Sequence, residues 1–178
     1  MTKTRTMSLA ALFAALTAIG AFLQIPVGIT SITLQFLFTS LAGLLLGAKW
    51  GALSQLVYVI LGLVGLPVFT QGGGPGYLLQ PSMGFLLGLI PAAWIVGRLT
   101  EQKRTHGRVI LACLAGLAAL YAVGVPYMYA VLHLYLGRDM TLWAVVWSGI
   151  LIYLPGDALK IAAVAAVSRP MLRAVKRA

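Results

Sequence analysis

The sequence predicts an all-α integral membrane protein with six transmembrane helices and both termini on the cytoplasmic side. Three observations carry this expectation. Of 178 residues, 61% are hydrophobic and only 9% charged, whereas a soluble domain carries about 25% charged residues. Between Arg5 and Arg98 the only charge is Lys49, so apolar stretches of spanning length run almost unbroken. The basic residues also sort to one side. Lys3, Arg5, Lys49, Arg98, Lys103, Arg104, Arg108, Arg169, Arg173, Lys176 and Arg177 fall inside and only Arg138 outside, a strong positive-inside asymmetry. The length suits a single membrane domain over 1–178.

The first span is expected over 7–25. It is too long for the apolar part of a cleavable signal peptide, and no small-residue cleavage site follows it. Ala10, Ala14 and Ala18, with Ala11 and Ala15 alongside, form a smooth stripe. Such a stripe lets another helix approach closely, either within the bundle or on a partner. The second span is expected over 32–48 and the third over 50–66. Gln35, near the outer end of the second, is an amide in an apolar run, which serves either an interhelical hydrogen bond or a ligand.

The loop from Gly65 to Gly84 faces outward in this topology. It is uncharged, with Gly72, Gly73, Gly74 and Gly76 and prolines at 67, 75 and 81. Glycines permit close backbone approach to a ligand, and prolines stiffen the path. The loop is either a plain connector or a binding lid, with Gln71, Tyr77 and Gln80 as its polar side chains. It is not a phosphate loop, because no Gly-Lys-Ser/Thr follows it.

The fourth span is expected over 82–97. The fifth covers 108–135, passing Pro126 with a kink at 124–126. The sixth covers 155–172, with Pro155 suited to its first turn. The stretch 142–153 carries Trp143, Trp147 and Tyr153 but is too short to span. It reads as a short helix at the outer surface, where such rings favour the headgroup level, or as the first part of a longer sixth span.

Asp157 and Lys160 stand out within this last span, since Asp157 is one of only three acids. A charge near the bilayer centre costs roughly 2.5–3.5 kcal/mol on the insertion scale. At i and i+3 the two share a helix face. They either neutralise each other or together present an acceptor and a donor to a polar ligand. Asp157 precedes Arg169 by a helix rise of about 18 Å, which puts it in the outer half of the membrane, reached from outside.

Other chemistries are disfavoured. Two scattered histidines, His106 and His133, with one cysteine and three acids, form no metal-ligand cluster. Cys113 reads as a small core residue. Glu101 and Asp139 read as solvated partners of neighbouring basic residues. No serine sits in a nucleophile-elbow context, and no nucleotide loop is present, so an enzyme is not expected. The net charge of +10 fits orientation and contact with anionic membrane lipid rather than nucleic acid. A proton relay in an ion-coupled carrier would need further ionisable groups in the spans. A purely structural assembly subunit would leave the glycine-rich loop unexplained.

Three segments together resemble a known family. They are Gly51-Ala-Leu-Ser-Gln-Leu-Val-Tyr-Val-Ile-Leu-Gly-Leu-Val-Gly-Leu-Pro-Val-Phe69 followed by the Gly72–Gly76 loop, Gln80-Pro-Ser-Met-Gly-Phe85, and Leu154-Pro-Gly-Asp-Ala-Leu-Lys160. The chain resembles BioY, the biotin-binding S components of energy-coupling factor (ECF) transporters, over nearly its whole length. Gln80 and Met83 stand where that family commonly has glycines.

The resemblance implies a six-helix protein of the prokaryotic plasma membrane that captures biotin from outside. It implies docking on a transmembrane coupling subunit and two ATP-binding subunits, with Ala10, Ala14 and Ala18 as the small-residue docking motif. It implies no cofactor beyond biotin as the transported ligand. Asp157 and Lys160 then become the polar recognition pair. Asp157 would accept from a ureido N–H and Lys160 would donate to the ureido oxygen, with Gln71, Tyr77, Gln35, Gly73 and Gly74 completing the site. The runners-up are an S component for another vitamin and a small ion-coupled solute carrier.

Overall fold

Six α-helices, a short β-ribbon and one long loop make up the described residues. The computed structural model describes residues 2–27, 30–102 and 104–177. Lys103, counted above with the inner basic residues, lies outside them.

Helix α1, Lys3–Phe22, is rich in alanine and leucine, which favour helix. It gives way to strands β1, Gln24–Val27, and β2, Thr30–Thr33, paired antiparallel with Ile25 opposite Ile32. The β-branched Ile/Thr content suits this pairing, and Pro26 is tolerated because a two-stranded ribbon is all edge. The expected second span therefore begins later than residue 32, since 30–33 is strand.

Helix α2 spans Gln35–Leu63, but Gly47 in its middle is not helical, with φ 81° and ψ 178°. At that glycine the chain reverses. Gln35 Nε2 donates to Tyr58 Oη at 2.9 Å, and Thr39 Oγ1 to Gln55 Oε1 at 2.9 Å. Along a straight helix those pairs would lie about 34 and 24 Å apart. Residues 35–46 and 48–63 are thus two antiparallel arms folded about Gly47. The fold is tight enough that a Cβ on Gly51 would fall 2.7 Å from Gly43 Cα. Only the missing side chain lets the arms meet.

The loop 64–82 includes a 3₁₀ turn, Pro75–Leu79. Helix α3, Met83–Thr100, packs along the hairpin of α2, and helix α4, His106–Ala130, packs along α3. Helix α4 continues through Pro126 and ends in a π-helical turn, Val131–Tyr135. Helix α5, Leu142–Val146, runs into a second π turn, Trp147–Leu151. Helix α6, Leu154–Arg177, contacts both α2 and α4 and closes the bundle. The stretch 142–151 packs against α4. Val145 is buried in a cluster with Met128 and Leu132. Only residues 152 and 153 separate that stretch from α6.

The hydrophobic core runs between α2, α3, α4 and α6, through Leu44, Val96, Ala112 and Val164. Ala10 and Ala14 face into the bundle and are buried, and Ala18 packs on the core cluster. Ala10 and Ala14 thus pack within the bundle, while the alanines that α1 leaves exposed are Ala11 and Ala15, in the adjacent register.

One end of the bundle is built on the Gly47 turn. The backbone N–H of Ala48 donates to Glu101 Oε1 at 3.0 Å, and Arg98 pairs with Glu101 Oε2 at 3.2 Å. Glu101 is thus a helix cap as well as an exposed ion-pair partner. The Ala48 N–H holds its carboxyl below the usual carboxylate range, with Arg98 contributing. Asp139 lies 3.9 Å from His133 Nδ1, fully exposed.

Candidate ligand-binding site

At the opposite end from the Gly47 turn, the bundle opens into a cavity of about 660 Å³ including the space at its mouth. Helix α6 supplies its charged wall. Asp157 sits in the first turn of α6, where the positive helix end favours a carboxylate. Lys160 follows one turn later. Both are buried, at 4% and 7% exposure. Lys160 Nζ donates to Asp157 Oδ1 at 2.6 Å. Asp157 Oδ2 accepts from the phenol of Tyr121, which reaches across from α4. The buried charges therefore neutralise each other and are hydrogen-bonded, the condition under which such a pair is tolerated away from water.

Apolar side chains form the walls, with Leu86 and Leu89 from α3 and Leu117 and Leu120 from α4. Phe85 sets the angle of Tyr121 through an edge-to-face contact at 6.3 Å between ring centroids. The β-ribbon and the long loop form the roof. Gln24 Nε2 donates to the Thr70 carbonyl at 3.2 Å, and Tyr153 Oη to the Val27 carbonyl at 3.0 Å. Tyr127 Oη donates to the Leu78 carbonyl at 2.5 Å. The ribbon, the loop, α4 and the start of α6 are thereby tied to one another.

Of the residues expected to bind ligand, the structure brings together Asp157, Lys160, Gln35 and Tyr77, all lining this cavity. Gln35 has protein partners as well: it donates to Tyr58 and accepts from Thr33 Oγ1 at 2.8 Å. Tyr77 Oη accepts from Ser82 Oγ at 3.2 Å and shares a hydrogen bond with Thr70 Oγ1 at 2.9 Å. Gln71 is exposed and outside the lining. Gly73 and Gly74 lie outside it as well. The Gly74 N–H donates to the Gly62 carbonyl at 2.7 Å, and a Cβ on Gly73 would collide with the Leu66 carbonyl. These glycines seat the loop on the end of α2.

Sequence reasoning missed Tyr121 and Tyr153, which also line the cavity. An aromatic ring with a hydroxyl in an apolar helix usually finds a buried partner, and that was the available signal for Tyr121.

The same chain matches the model of the BioY family over residues 1–177. It is 48% identical over 136 residues to the probable biotin transporter BioY of Lysinibacillus sphaericus, covering 75% of this chain and 69% of the relative. It is 39% identical over 125 residues to the biotin transporter BioY of Thermotoga maritima, covering 70% and 74%. Among solved structures, it superposes on the S-component for biotin from an ECF-type ABC transporter with a TM-score of 0.84 at 26% identity, covering 97% of this chain and 95% of that one. FolT bound with folic acid gives a TM-score of 0.67 at 21% identity, covering 92% and 91%. At that distance the likeness concerns the fold alone, so the architecture by itself does not select the ligand. Fold, family model and relatives agree: the chain belongs to the BioY family.

Proposed function

We propose that this chain is the biotin-binding S component of an ECF-type vitamin transporter, with the Asp157–Lys160 cavity as its biotin site. The observation that carries the reading is that the buried charged pair of α6 lines the cavity. A cyclic urea presents an N–H and a C=O side by side on one edge. A carboxylate beside an ammonium is the complementary edge. Asp157 accepts from the ureido N–H, Lys160 donates to the ureido oxygen, and the leucine walls receive the thioether ring.

The chain crosses the plasma membrane six times, counting each arm of α2 once. The basic end, with the Gly47 turn, both termini and the loop after α3, faces the cytoplasm in accord with the positive-inside rule. The cavity therefore opens outward. No cofactor is required. ATP hydrolysis belongs to partner subunits, which a transmembrane coupling subunit connects to this one. The exposed Ala11–Ala15 face of α1 is where that coupling subunit docks.

Thermal stabilisation of the purified protein across a vitamin panel tests the ligand: biotin alone is expected to raise the midpoint. Biotin titration of Asp157→Asn and Lys160→Met then tests the site. Each substitution leaves the other charge unpaired, for which losses of about 2–5 kcal/mol in binding are the rule. Wild-type affinity in both folded variants would sink the assignment.

A further inference from the structure

Lys160 lies on the same helix as Asp157, one turn on, so by itself it restrains the carboxylate only along the axis of α6. The second restraint comes from another element. Tyr121, on α4, donates its phenolic hydrogen to Asp157 Oδ2, while Lys160 holds Oδ1. A carboxylate has about four lone-pair sites. One on each oxygen is filled by the protein, and the carboxylate is left an acceptor toward the cavity that all three residues line. The Tyr121 ring is itself fixed edge-on against Phe85.

We propose that Tyr121 is a positioning residue for ligand recognition: from across the α4–α6 interface it holds Asp157 so that Asp157 and Lys160 form one rigid acceptor–donor edge, matched to the N–H/C=O edge of a cyclic urea. The inference rests on the biotin reading above. It assigns Tyr121 a role that acts through Asp157 and needs no contact between Tyr121 and the ligand. Removing the hydroxyl leaves the carboxylate free to turn about its side-chain torsions. The edge is then assembled only part of the time, and binding weakens by that fraction.

The test is a double-mutant cycle on the full-length protein in detergent, titrated with biotin up to millimolar so that weak variants stay measurable. Tyr121→Phe keeps the ring and its contact with Phe85 and removes only the donor. It is expected to weaken biotin binding about ten- to a hundredfold, the factor carried by a hydrogen bond to a charged group. In the Asp157→Asn background the same change is expected to cost less than about threefold, because the group it positions has been altered.

A merely structural role for Tyr121 would lower affinity equally in both backgrounds. That result, or wild-type affinity in Tyr121→Phe, overturns the inference while leaving the biotin site standing. Wild-type affinity in Asp157→Asn also overturns this inference; if Lys160→Met binds normally as well, or the unaltered protein binds no biotin, the site itself falls with it.

Discussion

At the scale of single residues, the bundle is held by polar groups that satisfy one another in an apolar setting. Gln55 is fully buried. It accepts from Thr39 and donates to Ser54 Oγ at 3.0 Å and Thr17 Oγ1 at 3.3 Å. Gln55→Leu would strand the Thr39 hydroxyl, while Thr17 and Ser54 keep their bonds to the Phe13 and Gly51 carbonyls. Thermal unfolding in detergent is expected to show a loss of about 1–3 kcal/mol. Glu101 offers a pH test. Its carboxyl is held below the usual range by the Ala48 N–H. Its contribution is therefore present above the unfolded carboxylate value of about 4.3 and is lost as pH falls through the folded one. Glu101→Gln should be less stable than the native chain at neutral pH, with the gap closing below about pH 4; because the group is exposed, the gap should be small. Asp157 and Lys160 were legible in the sequence because a charge in an apolar run has no cheap explanation. Tyr121 was not, because a tyrosine in such a run reads equally as a packing ring. The alanines were ambiguous for a geometric reason. Ala10–Ala14–Ala18 and Ala11–Ala15 have the same spacing and differ by about 100° around the helix, and composition does not say which faces inward.

At the scale of elements, the turn at Gly47 organises half the molecule. Its φ of 81° with ψ of 178° lies in a region essentially reserved for glycine. Gly47→Ala is expected to cost about 1–3 kcal/mol, read as a lower thermal midpoint with biotin affinity retained in the folded fraction. The division of 32–66 into two apolar segments around Lys49 was visible in the sequence. That they join through a single residue was not, since the helical pattern continues through Gly47 without a proline or polar break. The β-ribbon was missed for a related reason. Its isoleucines and Val27 extend the hydrophobicity of the flanking helices, and only the interleaved threonines and Pro26 mark the change of period from 3.6 to 2.

At the scale of the whole molecule, the two ends of the bundle are specialised. One carries the Gly47 turn with its neighbouring Lys49 and the Glu101 cap with its partner Arg98. The other carries the ribbon, the long loop and the cavity. If the Ala11–Ala15 face is the docking surface proposed above, ligand capture and partner docking should be separable by mutation. Ala15 is exposed on α1, away from the cavity lining. Ala15→Trp is expected to abolish co-purification with the coupling and ATP-binding subunits while biotin affinity stays within about twofold, since surface substitutions away from a site are usually near neutral. Ala14→Trp, at a buried position, is expected to prevent folding instead. Loss of biotin binding in a folded Ala15→Trp protein would refute the separation.

The hairpin of α2 also bears on how the chain enters the membrane. Its first arm, 35–46, rises only about 18 Å, against a hydrocarbon core of roughly 30 Å, and it carries Gln35, Thr39 and Ser40. Such a segment is short for a crossing made alone. Gln35 and Thr39 find partners on the second arm, at Tyr58 and Gln55. The two arms are therefore expected to partition into lipid as one unit. The polar contacts of the finished bundle thus double as the terms on which the nascent chain is admitted to the bilayer.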